Sequence, residues 1–130
     1  SIVDEETNDE SEMPKVAGMY INRLNDGMRL QADPTVKFAT GNVKAKRIYK
    51  EMLSADSPYN TYRHKGLPPG PIRIPSVAAI DAVLDYAHHD YMYMCAKPDF
   101  SGSHNFAKTY EEHQRNAKDY ADALDKRGIQ

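Results

Sequence analysis

The sequence predicts an α+β fold with a small antiparallel β-sheet, three to four helices, a long C-terminal helix and a cleft loop rich in proline and glycine. Three observations support this prediction. Apolar residues recur at helical spacing in several segments, and two short strand-like segments flank a turn between residues 91 and 107. Five of the eight prolines lie within residues 54–75, which excludes regular structure throughout that stretch: Pro58, Pro68, Pro69, Pro71 and Pro75.

The first two helices are expected near the start of the chain. Residues 1–7 are interpreted as the end of a helix with one shared face, formed by Ile2, Val3 and Glu6. Ser11 is a plausible N-cap of the second helix, and Pro14 fits its first turn. An apolar stripe follows and the helix is expected to end at Asn25-Asp26-Gly27; the stripe consists of Val16, Met19, Tyr20 and Leu24.

The middle of the chain is predicted to be mostly irregular. Residues 28–38 look extended, with a bend at Asp33-Pro34. Residues 47–53 predict a short helix, and residues 54–75 predict an irregular segment.

The C-terminal half predicts a helix, a β-hairpin and a second helix. Ser76 can cap the first helix, with an inward face of Ala79, Ile80, Val83, Leu84 and Ala87. Residues 91–96 and 103–107 predict two paired strands. The clearest helix covers residues 109–127 and begins with a Thr-x-x-Glu capping box; its apolar stripe is Tyr110, His113, Ala117, Tyr120, Ala121 and Leu124.

Composition narrows the class of function. The 130 residues carry a net charge of -2 and no Lys/Arg block, so a phosphate-driven nucleic-acid role has little electrostatic support. The single cysteine, Cys95, excludes an internal disulfide and a CxxC motif. The five histidines form no HxH or HExxH arrangement, so we expect neither a metal site nor a cofactor, and His113 is interpreted as a core residue.

The loop of residues 57–72 is the most unusual segment and is suited to form one wall of a cleft. Tyr59 and Tyr62 offer flat faces for a sugar ring, and the Asn60 amide can donate to and accept from an N-acetyl group. The candidate ligand contacts of this loop are Tyr59, Asn60, Thr61, Tyr62, Pro69 and Gly70. The alternative is a structural connection with ordinary surface tyrosines.

Glu6 is the best candidate for a general acid and base. Packing the face that it shares with Ile2 and Val3 would bring its carboxyl group into an apolar setting, which raises a carboxyl pKa. The alternative is a solvated glutamate, because Glu6 lies in a run rich in acidic residues.

Three further polar residues are candidates for substrate binding. Gln31 and Asp33 share a face of the segment that is expected to be extended, although Asp33 before proline could equally form a turn. Asn22 lies within the second helix, and if it is buried it needs partners, most readily loop backbone.

These segments together resemble the MltG/YceG family of endolytic murein transglycosylases, in collinear order over nearly the whole chain. The resembling stretches are residues 1–7 (SIVDEET), 15–24, 27–36 (GMRLQADPTV), 57–62 (SPYNTY), 66–72 (GLPPGPI), 91–93 and 104–113. Two departures bear on local shape: Asp4 stands where a glutamate is common, and Ile74-Pro75-Ser76 replaces a more usual Asn-Pro-Gly.

The resemblance implies a lyase that cuts peptidoglycan glycan strands, with Glu6 as its catalytic residue. It implies cleavage of the β-1,4 bond between N-acetylmuramic acid and N-acetylglucosamine, with formation of a 1,6-anhydro ring and without consumption of water. It also implies a protein of the cell inner membrane with one N-terminal anchor helix and a catalytic domain on the periplasmic side. Peptidoglycan synthases are possible partners. A non-catalytic glycan-binding or scaffold module that uses the same cleft is the alternative.

The resemblance also sets expectations for the chain as a unit. Residues 1–130 are expected to form one catalytic domain, without the family's membrane anchor and upstream LysM-like subdomain. Because Glu6 lies close to the first residue, we expect residues 1–7 to be mobile and cleavage by this chain to be weak until upstream residues are added.

Overall fold

The computed structural model describes residues 1–42, 48 and 50–128. Within them lie five α-helices, one 3₁₀-helix and two strands, which confirms the α+β class. In chain order these are α1 (Ile2–Glu6), α2 (Met13–Asn25), α3 (Asp33–Thr40), the 3₁₀-helix Met52–Ser54, α4 (Val77–Leu84), β1 (Tyr93–Ala96), β2 (His104–Ala107) and α5 (Tyr110–Lys126).

Helix α2 is the centre of the core. Its predicted apolar stripe is confirmed for Val16, Met19 and Tyr20, which are buried, while Leu24 packs at the margin. The N-cap is Glu12 instead of Ser11, with Pro14 in the first turn as predicted. The helix ends at Asn25 within the predicted Asn25-Asp26-Gly27 stop, and Gly27 adopts a φ of 69°.

Helix α3 corrects the expectation that residues 28–38 are extended. Pro34 lies in the first turn, where its missing N–H is not needed and its fixed φ suits a helix. Asp33 precedes it at the positive end of the helix dipole. The Asp-Pro pair therefore starts a helix instead of bending a strand.

The segment between α3 and α4 is irregular, as predicted for residues 54–75. Part of the helix expected over residues 47–53 lies outside the described residues. The described part shows the 3₁₀-helix Met52–Ser54.

Helix α4 has the predicted cap, but of the predicted inward residues within the helix only Ala79 is buried. The Ser76 hydroxyl accepts a hydrogen bond from Ala79 N at 3.1 Å. Its buried residues are Ala79 and Ala82, whereas Ile80 and Val83 are 45% exposed and Leu84 is 78% exposed. Small residues face α2 because the two segments pack closely: a Cβ on Gly18 would lie 2.2 Å from the Ala87 carbonyl oxygen.

The predicted hairpin and final helix are confirmed. Strands β1 and β2 pair antiparallel, with Tyr93 opposite Ala107. The Thr109 hydroxyl caps α5 by accepting from Glu112 N at 3.3 Å. Glu12 ties the hairpin to the start of α2, because its carboxylate binds the His104 ring at 2.5 Å and accepts from His104 N at 3.1 Å. Tyr110, which was expected inward, is 55% exposed.

Candidate active site in the cleft beside helix α1

Helix α1 is short, and its contacts with the rest of the protein place Glu6. Val3 is buried in the core and Ile2 packs against it, so the face predicted for Ile2, Val3 and Glu6 is the one that docks. Asp4 is also buried and reaches the N-terminus of α4. Its carboxylate accepts from Ser76 N at 2.6 Å and from the Ser76 hydroxyl at 2.8 Å. Asp4 therefore fixes the helix that carries Glu6.

Two further contacts hold residues 1–7. The Ser1 hydroxyl accepts from Ile72 N at 3.1 Å, and Glu5 forms an ion pair with Arg73 at 3.3 Å. The Tyr59-to-Ile72 loop thus meets α1, as a shared cleft requires. The expected mobility of residues 1–7 and the expected weak activity stay predictions.

Glu6 opens into a cavity of about 520 Å³ that lies between two parts of the fold. Helices α1, α2 and α3 form one side, and the hairpin and α5 form the other. Most of the stripe predicted as the buried face of α5 is a cavity wall, since His113, Ala117, Tyr120, Ala121 and Leu124 line it. The candidate residues Gln31, Asp33 and Tyr62 line the same cavity as Glu6.

The surroundings of the Glu6 carboxyl group favour its protonated form. Burial raises its pKa to about 8, with a further rise from the nearby Asp33 charge. Tyr20, which is buried on α2, hydrogen-bonds to this carboxyl group and partly offsets the rise. The Tyr20 pKa is raised by burial and by the Glu6 charge, so the phenol stays neutral and can donate. Burial therefore favours the protonated form of Glu6 near neutral pH, and the Tyr20 hydroxyl can donate a hydrogen bond to the carboxylate once the proton is lost.

Asp33 and Tyr62 form a second polar pair beside Glu6. The Tyr62 hydroxyl donates to Asp33 Oδ1 at 2.5 Å. Burial raises the pKa of Asp33, while the Tyr62 hydrogen bond and the Lys37 charge oppose that rise. Lys37 lies one turn further along α3 and lines the cavity, and it has no ion-pair partner in the described part of the chain.

Gln31 reaches the cavity through an uncommon backbone conformation. Its φ is 48°, in the left-handed region that a side chain other than glycine seldom adopts. Gln31 N donates to the Thr61 carbonyl at 3.3 Å, and Arg23 Nη1 reaches Gln31 Oε1 at 3.5 Å. The neighbouring residues Leu30 and Ala32 are buried, so the chain turns at Gln31 and leaves its side chain exposed at the cavity.

Asn60 and Thr61 are buried and committed to internal hydrogen bonds, which corrects their assignment as direct substrate contacts. The Asn60 amide donates to the carbonyls of Leu53 and Ala55, each at 2.9 Å, and accepts from Tyr62 N at 3.0 Å. The Thr61 hydroxyl accepts from Ala32 N at 2.9 Å and meets the Thr35 hydroxyl at 2.8 Å. Both residues brace the loop that delivers Tyr62.

Four other candidates do not line the cavity with Glu6. Asn22 donates to the carbonyls of His89 at 2.8 Å and Tyr91 at 3.0 Å, so its amide binds backbone as expected for a buried Asn. Tyr59 packs against Phe38, with ring centroids 4.8 Å apart. Pro69 and Gly70 belong to the same loop, and Gly70 packs beside the Tyr59 hydroxyl. Their assignment as substrate contacts in the same cavity as Glu6 therefore has no support from the cavity lining.

Among the cavity residues that sequence reasoning did not assign to the site are Tyr20, Lys37 and His113. Tyr20 was interpreted only as core, although its hydroxyl reaches Glu6, and Lys37 gave no signal. His113 stacks on Tyr93 with centroids 5.1 Å apart, and its buried Nδ1 has no hydrogen-bond partner in the described ranges. Burial and the Arg23 charge lower the His113 pKa, so the ring is neutral at pH 7. Helical periodicity cannot distinguish a core position from a cavity wall.

The described residues contain no cluster of three or more His, Cys, Asp or Glu side chains that could hold a metal ion. Over the same ranges, the helices are too short or too polar to cross a bilayer.

The fold and the site define an α+β protein whose cleft presents a glutamic acid with a raised pKa beside a second carboxyl group. The YceG-like family model matches residues 1–119. The chain belongs to this family.

Named relatives agree with that membership. The endolytic murein transglycosylase of Bacillus subtilis (strain 168) is 40% identical over 120 residues, covering 92% of this chain and 32% of the relative. The enzyme of the same name from Streptococcus pneumoniae serotype 2 (strain D39) is 31% identical over 127 residues, covering 95% of this chain and 23% of the relative. The chain therefore spans about a third or less of these relatives.

A solved structure shows the same fold. The crystal structure of a yceG-like protein from Listeria monocytogenes matches with a TM-score of 0.82 and 39% identity, covering 88% of this chain and 37% of that one.

Proposed function

We propose that this chain carries the active site of an endolytic peptidoglycan lytic transglycosylase, with Glu6 as its general acid and base. The observation that carries the proposal is the position of Glu6, which is protonated near neutrality and opens into a polar cleft. The relatives named endolytic murein transglycosylase support the substrate class.

The first step requires an acid. Glu6 donates its proton to the glycosidic oxygen between N-acetylmuramic acid and N-acetylglucosamine, and the bond from that oxygen to muramyl C1 breaks. The N-acetylglucosamine side leaves with a hydroxyl group. A pKa of about 8 keeps Glu6 in the acid form at neutral pH.

The second step requires a base. The Glu6 carboxylate, now accepting a hydrogen bond from Tyr20, takes the proton of the muramyl C6 hydroxyl as the C6 oxygen bonds to C1. The product is a 1,6-anhydro ring, no water is consumed and Glu6 ends protonated. A single acid and base thus suffices, whereas hydrolytic glycosidases generally use two carboxyl groups.

The surrounding polar groups orient the substrate. Gln31, Asp33 and Tyr62 line the cavity with Glu6 and are the candidates for contacts with sugar hydroxyls and N-acetyl groups. A negative charge on Asp33 also favours the positive charge that develops at C1.

The remaining proposals concern the whole protein. By resemblance to the family, it acts on peptidoglycan outside the inner membrane, anchored by one helix beyond this chain, and it works near peptidoglycan synthases. A fusion of the intact protein to a periplasm-dependent reporter tests the orientation.

Mass spectrometry of purified sacculi treated with the protein tests the activity. We expect soluble or shortened glycans whose muramyl ends are 1,6-anhydro, one water lighter than hydrolytic products. Reducing muramyl ends would instead indicate a hydrolase. Bound but uncut glycan would favour the alternative, a non-catalytic binding module.

A further inference from the structure

A second cavity of about 250 Å³ lies next to Glu6, outside the main one. It is formed by the segment that follows α1 and by the turn of the β-hairpin; its lining is Glu5, Glu6, Thr7, Asn8, Asp9, Ser101 and Gly102. Among the residues that the structure describes, Glu5 and Glu6 alone line both cavities. Glu6 therefore lies where the main cavity and the second cavity adjoin.

We propose that this second cavity is a sugar-binding subsite for the neutral N-acetylglucosamine side of the cleaved bond, while the main cavity holds the N-acetylmuramic acid. The inference rests on the proposed function. A general acid must lie within hydrogen-bond distance of the oxygen that joins two rings, so the strand extends away from Glu6 in both directions.

Asn8 is the recognition group of this subsite. Its side chain is exposed and has no hydrogen-bond partner within the described ranges. An amide both donates and accepts, which matches an N-acetyl group or a pair of hydroxyls. The other polar side chains are engaged: Asp9 Oδ1 accepts from Ser11, and the Thr7 hydroxyl accepts from Asp9 N at 3.1 Å.

The shape of the opposite wall allows a ring to approach. Gly102 has a φ of 90°, and an added Cβ there would meet no atom within 4 Å. The wall on the α1 side is fixed, since Thr7 is buried and its N donates to Val3 O at 3.2 Å. Asn8 therefore keeps a defined position two residues after Glu6.

The charges of the two cavities indicate which sugar each one holds. The main cavity is lined by two cationic side chains, Arg23 and Lys37, whereas no Lys or Arg is among the described residues that line the second cavity. The muramyl unit carries a lactyl carboxylate and N-acetylglucosamine carries no charge. The main cavity also contains the carboxyl groups of Glu5, Glu6 and Asp33, but of the two described linings only this one offers cations to a lactyl carboxylate, so it suits the muramyl unit. The charged residues that line the second cavity are all acidic, so that cavity suits the neutral sugar.

Binding of denuded glycan strands, which keep the free lactyl carboxylate, tests the subsite in the Glu6→Gln background. We expect Asn8→Ala to weaken binding about fivefold or more and Ser101→Trp to block it, because each changes the second cavity. Asn25→Ala and Ser54→Trp, at exposed positions outside both cavities, should bind the strands as tightly as the Glu6→Gln protein without a second substitution.

A second comparison tests whether the main cavity holds the muramyl unit. Lys37→Gln should weaken binding of denuded strands but not of strands whose lactyl carboxylates have been amidated, whereas Asn8→Ala should weaken both equally. Unchanged binding in Asn8→Ala and Ser101→Trp would overturn the subsite, and equal losses for both strands in Lys37→Gln would overturn the polarity. If the parent with Glu6 intact releases no anhydro product, the proposed function fails independently of these results.

Discussion

At the scale of single residues, Glu6 differs from its acidic neighbours because of its surroundings. Glu5 forms an exposed ion pair with Arg73, and Asp4 accepts two hydrogen bonds from Ser76. Glu6 instead faces Tyr20 and Asp33 in the cavity, where burial favours its neutral form. Three consecutive acidic residues thus have three different roles.

The raised pKa predicts a pH profile. Because cleavage needs protonated Glu6, kcat/KM should fall about tenfold per pH unit above a pKa near 8. Initial rates of anhydro-product release between pH 6 and 10 measure this limb. A rate that already falls tenfold per unit from pH 6, without a plateau below pH 8, would show that Glu6 ionises as an ordinary glutamate.

The same pKa predicts a stability effect. A folded pKa above the unfolded value means that the unfolded chain loses the proton first, so stability falls as pH rises from about 4.5 to 8. Glu6→Gln removes this loss and should raise stability by about 1–3 kcal/mol at pH 8.5, with little change at pH 4. Thermal unfolding at both pH values measures the difference; an equal change at both would contradict the account.

At the scale of secondary-structure elements, the docking of α1 against α4 controls the position of Glu6. Asp4→Ala removes both contacts with Ser76 and should cost about 1–3 kcal/mol of stability. It should also lower kcat more than it raises KM, because small displacements of an acid are costly.

Two comparisons complete that experiment. Asp90→Ala, at an exposed position, should leave kcat and stability unchanged. The alkaline limb of the pH profile should persist in Asp4→Ala, because Asp4 positions the acid and does not supply the proton. Wild-type kcat in Asp4→Ala would show that other contacts place α1.

The loop that carries Tyr62 depends on Asn60. Asn60→Ala removes the side-chain donor of the Leu53 carbonyl, one of the two donors of the Ala55 carbonyl and the acceptor of Tyr62 N, and should destabilise the fold by about 2–4 kcal/mol. Urea unfolding measures this loss, and exposed Asn25→Ala should change little. If Asn60→Ala weakens glycan binding at unchanged stability, Asn60 contacts the ligand instead of bracing the loop.

Capping residues and apolar periodicity predicted the elements that depend on interactions between residues close in the sequence. Ser76 and Thr109 cap helices as expected, and the α2 stripe is buried. Helix α3 was missed because Asp-Pro is compatible with both a bend and a helix start. The inward face of α4 was missed because close packing against α2 selects small residues over the larger apolar ones, which no local pattern encodes.

Sequence reasoning identified some residues of the candidate site correctly and assigned others to the wrong role. Glu6, Gln31, Asp33 and Tyr62 were identified and meet in the cavity. Asn60 and Thr61 were assigned to the ligand, yet they bind the protein's own backbone. Polar side chains can serve either purpose, and only tertiary structure decides which.

At the scale of the whole molecule, the cleft joins residues from the two ends of the chain. Glu6 lies near the start, and His113 lies on α5 across the main cavity. The fold matches the yceG-like structure at a TM-score of 0.82, so the two proteins share the fold that carries this cleft. The candidate active site consequently depends on the packing of α1 against α2 and of α5 against the hairpin.

The central claim is that Glu6 supplies and recovers the proton. The most direct measurement compares anhydro-product release from sacculi by the protein and by its Glu6→Gln and Glu10→Gln variants, with folding checked by thermal unfolding. We predict that Glu6→Gln loses at least ~10²-fold in rate while it stays folded, because Gln keeps the shape but has no proton to transfer. Glu10→Gln, at an exposed position, should release anhydro product at the rate of the unsubstituted protein. Substantial anhydro-product release by Glu6→Gln, or an equal loss in Glu10→Gln, would contradict the account.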